Sequence, residues 1–174
     1  MNKIGTIRRI DELGRIVIPK VIRNKMRIKE GDRIFVTYDD ENDIINVSKH
    51  DSFIKNIKEI EIVIDILSKE IHYPIALSSK EKIVAVSSDF IFPELFDTFI
   101  SNHVESELEN RKTCQFIHED LASNNKYYNF FVYPIAYDSE LFGGLFIFTS
   151  TPLSNEDNKI IITFRNLLTS FIKH

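Results

Sequence analysis

A single cysteine, Cys114, rules out an internal disulfide and any thiolate zinc cage, which fits a reducing compartment and reads as a buried or neutral thiol. No stretch of about 18 apolar residues occurs, and MNKIGTIRR at the start has no apolar core of a signal peptide. Neither membrane spanning nor secretion is expected, and the chain reads as cytoplasmic. Tryptophan is absent, whereas phenylalanine occurs 14 times. The signatures of nucleotide hydrolysis (GxxxxGK[ST]), dinucleotide binding (GxGxxG), zinc proteolysis (HExxH) and serine hydrolysis (GxSxG) are all missing. His50, His72, His103, His118 and His174 are scattered. His118-Glu119-Asp120 comes nearest to an acid/base or metal cluster, but adjacent residues do not converge on one point and a solvated loop is the better reading. No catalytic, metal or cofactor residue is assigned, and the chain is not read as an enzyme.

What is present is an asymmetry of charge. The whole chain carries a net charge of -4, yet residues 1–50 hold 11 Lys/Arg against 8 Asp/Glu, and residues 51–174 hold 11 against 18. The aromatic mass lies mostly in the second part. A polyanion is the expected partner of the basic end. The charge divides the chain into two domains, 1–50 and 51–174. A domain of about 50 residues without disulfide or metal buries too little surface to be comfortable alone, so self-association is its expected remedy.

The first part reads in order as strand, strand, short helix, strand, strand. Ile4–Ile10 is β-branched and extended, and Asp11-Glu12-Leu13-Gly14 turns the chain, with Gly14 free to take a positive φ. Arg15–Ile18 returns. Pro19, which has no N–H for a ladder, stops it and opens a helix over Lys20–Arg27. Val21, Ile22 and Met26 make its apolar side, and Lys20, Arg23 and Arg27 share another face. Arg33–Tyr38 and Ile44–Ser48 then read as strands joined by the acidic loop 39–43.

Arg8-Arg9-Ile10-Asp11-Glu12-Leu13-Gly14-Arg15-Ile16-Val17-Ile18-Pro19, followed by Ile22-Arg23 and Glu30-Gly31-Asp32, resembles the AbrB-type swapped-hairpin DNA-binding domain. Chain length and the pattern of the second part make the chain similar to regulators of the stage V sporulation protein T (SpoVT) type. The resemblance implies an obligate dimer in which two chains exchange hairpins into one β-barrel, with arginines gripping double-stranded DNA. Carried over by matching positions, the DNA-binding residues are Arg8, Arg15 and Arg23, with Arg9 in addition. Asn24 stands where the pattern has a further arginine, and Lys25 or Arg27 is the candidate replacement. Arginine suits the task because its planar fork bonds phosphates and guanine edges, and each neutralised phosphate releases counterions. The competing reading is a solvated face whose arginines pair locally with Asp11, Glu12, Glu30 and Asp32.

In the second part Phe53, Ile57, Ile60, Ile64, Leu67 and Ile71 form a heptad seam on a helix over Ser52–Glu70, with Ile54, Ile62, Val63 and Ile66 beside it. The last helix, Asn155–Ile172, places Ile160, Phe164, Leu167 and Phe171 in a similar seam, flanked by Ile161, Leu168 and Ile172. Either the Phe53–Ile71 and Ile160–Ile172 helices join copies into a tetramer, or both lie on their own sheet. Between them Pro74–Ser78 and Lys82–Ser87 read as a hairpin, Pro93–Asn110 as helical, Lys112–Lys126 as loop, and Tyr127–Ala136 with Leu141–Ser150 as a hairpin turning at Tyr137–Glu140. This order, with Pro134 and Gly143-Gly144-Leu145 on a strand pair, resembles the GAF domain that closes SpoVT-type regulators. GAF-like enzymes that reduce oxidised methionine use several cysteines, and one cysteine leaves that reading empty.

The fold class is thus α+β: an N-terminal swapped-hairpin β-barrel, complete as a dimer, and a C-terminal GAF-like antiparallel sheet flanked by helices. Phe90, Phe92, Phe96, Phe99, Phe116 and Phe130 either line a pocket for an unknown small-molecule ligand or form plain core. The expected function is transcription regulation in sporulation or stationary phase. The alternative is a MazE-like antitoxin that binds DNA with its first part and a toxin protein with its second.

Overall fold

The computed structural model describes residues 5–49 and 56–172, and the chain divides into two compact units, Met1–Asp51 and Ser52–His174. The expectations placed on Ile4, His50, Phe53, Ile54 and His174 lie outside the described residues.

In the first unit the turn forms where expected. The Gly14 amide donates to the Asp11 carbonyl (2.9 Å) and the Asp11 amide to the Arg15 carbonyl (3.1 Å), with Gly14 at φ +74°. The flanking arms are not strands. Residues 5–10 and 15–19 have no ladder partner in this chain, so the first two expected strands are absent from a single copy. Pro19 starts helix α1 (Lys20–Lys25), two residues shorter than expected. Met26 ends it, and Arg27 at φ +50° leaves the helical path, so Arg27 does not share a face with Lys20 and Arg23. Strands β1 (Ile34–Asp39) and β2 (Ile44–Lys49) pair antiparallel, with Val36 opposite Val47 and Tyr38 opposite Ile45. Directly opposed residues share a face, so Val36, Tyr38, Ile45 and Val47 form one apolar face.

That face is bare. No described residue of this unit is buried; Ile7 is 98% exposed and Ile45 67%. A two-stranded sheet with no core is at best marginally stable in water.

The second unit is built on a five-stranded antiparallel sheet. Helix α2 (Ile57–Ile71) leads into β3 (Ile75–Ser79) and β4 (Ile83–Val86), then a 3₁₀ turn (Pro93–Leu95) and α3 (Asn102–Glu109). β5 (Cys114–Glu119), β6 (Tyr128–Tyr137), β7 (Glu140–Phe148) and α4 (Asn155–Ile172) complete the unit. The strand order is β4-β3-β7-β6-β5. The expected Lys112–Lys126 loop therefore contains an edge strand. Its pairing with β6 shifts between Phe116 and Glu119, where His118 takes φ +54°, and this bulge is what breaks the alternation that a strand would show. The expected Pro93–Asn110 helix is likewise interrupted: Phe96 turns extended, and helix resumes only at Asn102, capped by the Ser101 hydroxyl.

Both faces of the sheet are covered, which is why β6 and β7 read as nearly unbroken apolar runs. One face carries Ile75, Leu77, Tyr133, Ile135, Leu145 and Ile147 against α2 and α4. The other carries Ala76, Phe116, Phe130, Val132, Phe146 and Phe148 against α3 and the loops around it. The α2 seam is buried as patterned, at Ile60, Ile64, Leu67 and Ile71. On α4 the buried line is Ile161, Leu168 and Ile172, the flanking set rather than the seam, while Leu167 is exposed. Both helices pack on their own sheet and on each other.

Of the six phenylalanines considered as pocket lining, Phe116 and Phe130 are core, and Phe90 and Phe92 are half-buried against it. Phe116 and Phe130 stack at 5.0 Å, and Phe90 and Phe92 meet Phe148 at 5.2 Å. Phe96 and Phe99 are 49% and 43% exposed.

Two close approaches carry predictions. A Cβ on Gly143 would lie 1.9 Å from the Ser78 carbonyl oxygen on the neighbouring β3, so only glycine lets the strands pair there. Gly143→Ala lowers stability by about 2–3 kcal/mol, the upper range of overpacking, read as a fall in the melting temperature. Tyr133, buried against α4, bonds the Asn158 side chain, and burial, with Asp157 nearby, pushes its phenol up to about 12 from 10.0. The folded state favours the neutral phenol, so this stabilisation is complete below pH 10 and lost between pH 10 and about 12. Tyr133→Phe removes roughly 2–3 kcal/mol of that alkaline loss from the pH–stability curve.

Candidate nucleic-acid interface

The basic residues sit on two local structures of the first unit. Around the turn, the Asp11 carboxylate accepts the Leu13 amide (3.0 Å), the Arg15 amide (2.8 Å) and Arg15 Nε (2.8 Å). The Arg15 backbone N–H, then its guanidinium, holds the Asp11 carboxyl below the ordinary carboxylate range. Asp11 is thus the organiser of the turn. It fixes Arg15 through Nε alone and leaves the two terminal nitrogens of the fork, with the side chain 72% exposed. The local-pairing reading holds for this one contact. Arg8 and Arg9, on the incoming arm, are exposed and take part in no ion pair among the described residues.

Arg23 and Lys25 occupy the second structure, α1. Both are exposed, and neither is ion-paired among the described residues. Two residues apart on the helix, they do not face the same way, and Lys25, the candidate replacement for the arginine missing at Asn24, is exposed beside that position. Ile22 and Met26, half-buried, hold the opposite side of the helix. Lys20, exposed at the start of α1, is a further cation that the motif does not single out; its exposure places it with Arg23 as a candidate.

The arrangement offers exposed guanidinium groups on a hydrogen-bonded turn and a short helix. Such a surface suits a repeating anion. Among the described residues no group of three or more His, Cys, Asp or Glu could hold a metal ion. His118, Glu119 and Asp120 diverge in the second unit. His118 stacks on Tyr127, Glu119 pairs with His103 Nδ1 (2.9 Å), and Asp120 accepts the amides of Asn124 and Asn125. Cys114 is half-buried, and burial, with Glu107 nearby, raises its thiol, which stays neutral. No helix of the described residues is long and apolar enough to cross a membrane.

Comparison with known proteins agrees with this division. Residues 7–47 match the family model described as "Antidote-toxin recognition MazE, bacterial antitoxin". The chain is 27% identical to stage V sporulation protein T of Bacillus subtilis (strain 168), covering 97% of each. Over 49 residues, 28% of this chain and 51% of the relative, it is 41% identical to the transition state regulatory protein AbrB of the same organism. Among solved structures it is similar to the GAF domain of an Acinetobacter phosphoenolpyruvate-protein phosphotransferase, with a TM-score of 0.54 and 15% identity, covering 71% of this chain and 92% of that one. The second unit has the GAF fold, and the first is similar to the swapped-hairpin domains.

Proposed function

We propose that the chain is a DNA-binding transcription regulator of the SpoVT type, acting in the sporulation or stationary-phase programme of its host cytoplasm. Its working form is a homo-oligomer. Two first units exchange their arms into one barrel, and Arg8, Arg9, Arg15 and Arg23 from each copy contact duplex DNA, with Lys25 on a neighbouring face. The single observation that carries this reading is a unit with no buried residue, whose cations and whose β1–β2 apolar face are both exposed. The cations need a polyanion and the apolar face needs a second copy. Two copies related by a dyad imply paired half-sites, and so few arginines leave much of the specificity to the deformability of A·T-rich DNA.

The GAF-fold unit serves ligand sensing or oligomerisation, and no reaction is assigned to it. Ile62 and Ile66 on α2, with Ile162 and Leu167 on α4, stay exposed after the inner sides of both helices are used, and they are the candidate surface for a tetramer. Linking modules in this way raises avidity on the order of a hundredfold with no new DNA contact. The test is selection by the full chain from a random duplex pool. Enrichment of A·T-rich sites with dyad-related halves supports the reading, and no retention above background at low salt refutes it.

The antitoxin reading is favoured by the description of the matching family model. It asks for a polar segment after the DNA-binding part that folds on its toxin. The second unit instead has two apolar cores. Limited proteolysis separates the two: the regulator yields a resistant fragment from about residue 52 onward, and rapid digestion of that region supports the antitoxin.

A further inference from the structure

The second unit has an open cleft of about 610 Å³ between the 3₁₀ turn, the start of β6 and the end of β7. Its apolar lining is Phe92, Tyr128 and Phe148, with Ile91, Pro74 and Tyr127 around them. The three rings are fixed by edge and tilted contacts at 5.1–6.1 Å, and Tyr127 lies parallel on His118 at 4.4 Å. Tyr127 is braced on one face while it remains half exposed. The floor of this cleft is the outer edge of the core on the α3 side of the sheet, where Tyr128 and Phe148 are nearly buried and Phe92 packs against them.

Its charged groups are one cation and one anion in contact. Lys126 Nζ bonds Glu94 Oε1 (2.8 Å), and the Tyr128 hydroxyl bonds the same oxygen (3.2 Å). The Lys126 hydrogen bond is the main reason that the Glu94 carboxyl is held below the ordinary range. Each keeps bonding capacity. Both donors fall on Oε1, leaving Oε2, and the ammonium has two further N–H groups. A ligand with only a carboxylate would meet Lys126 but be repelled by Glu94; a ligand with only an amine meets the converse. A ligand carrying both charges a few ångströms apart satisfies both without breaking the pair, and its apolar remainder covers the rings.

We propose that this cleft binds a free α-amino acid with an aromatic or large apolar side chain, its carboxylate on Lys126, its ammonium on Glu94 and its side chain over Phe92, Tyr128 and Phe148. The inference deepens the sensing role given to the GAF-fold unit and rests on it.

The test is calorimetric titration of the full chain with L-phenylalanine, 3-phenylpropanoate (no ammonium) and 2-phenylethylamine (no carboxylate). L-Phenylalanine binds, and each analogue binds about tenfold more weakly, the value of one charge-assisted contact at a partly exposed site. Lys126→Met removes the preference over 2-phenylethylamine and keeps that over 3-phenylpropanoate; Glu94→Gln does the reverse. Such crossed losses cannot come from misfolding. Absence of L-phenylalanine binding, equal binding of all three probes, or indifference to both substitutions overturns the proposal. Duplex binding measured on the same preparations keeps the two readings apart. Retained DNA binding with no amino-acid binding removes only the cleft, whereas loss of DNA binding in the wild-type chain removes the regulator.

Discussion

Ile45→Glu abolishes assembly of the first unit and, with it, DNA binding. Ile45 lies opposite Tyr38 on the apolar face completed by Val36 and Val47, and all four are exposed in one copy. Fully burying such a side chain contributes about 1.5–3 kcal/mol, so covering the roughly half of each that one copy leaves exposed contributes roughly 3–7 kcal/mol per copy. That is on the order of the whole stability of a small domain. A carboxylate at the centre removes its own share and adds the cost of burying an unpaired charge. The expected result is loss of the low-temperature unfolding transition and of duplex binding, while the second unit, with its own two cores, keeps its melting transition. Unchanged duplex binding would mean that the β1–β2 face is not an interface. A control in the same strand pair is Asn46→Lys, opposite Thr37 on the other face, which leaves both transitions in place.

Arg15→Ala with Arg23→Ala lowers affinity for duplex DNA by about two to three orders of magnitude at moderate salt. A dimer loses four guanidinium groups at once, and phosphate contacts supply most of the affinity of such a surface. Arg15→Ala also removes the guanidinium from the Asp11 carboxyl, but the backbone amides of residues 13 and 15 still bond it, so the turn persists. Arginine-to-lysine replacement at the two positions separates charge from geometry. It keeps the salt dependence and loses preference for one duplex sequence over another, because lysine lacks the planar fork. Anisotropy with a selected duplex and an unrelated one reads both effects. Full affinity of the double alanine variant would place the contacts elsewhere, with Lys20 and Lys25 the next to replace.

Much of this is legible in the residues, and the failures have physical reasons. The Gly14 turn, the Pro19 helix start, the α2 seam and the Asp138-Ser139 hairpin depend on local chemistry and are readable from it. Asp138 and Ser139 take φ 47° and 66°, the twist that suits a two-residue hairpin, and the strands flank them as expected. β5 is hidden because its bulge at His118 breaks the alternation that reveals a strand. On α4 the sequence offers two overlapping apolar lines, and periodicity alone does not tell which one faces the sheet. The arms 5–10 and 15–19 look like strands because their residues suit a ladder, but a ladder also needs a partner, and one copy provides none. The interface arginines are visible as charge. The Glu94–Lys126 pair is not, because its partners stand 32 residues apart and meet only when the 3₁₀ turn packs beside β6.

The most direct measurement is the salt dependence of duplex binding by the wild-type chain, followed by fluorescence anisotropy on an A·T-rich duplex from low to moderate salt. On the proposed function, Arg15 and Arg23 of two copies would neutralise four phosphates, with Arg8 and Arg9 adding to them. The predicted slope of log affinity against log salt is therefore about -3.6 or steeper, at about -0.9 per phosphate. A slope near zero, or no binding at the lowest salt by a chain whose two units are both folded, would contradict the account and assign the basic surface to a partner other than DNA.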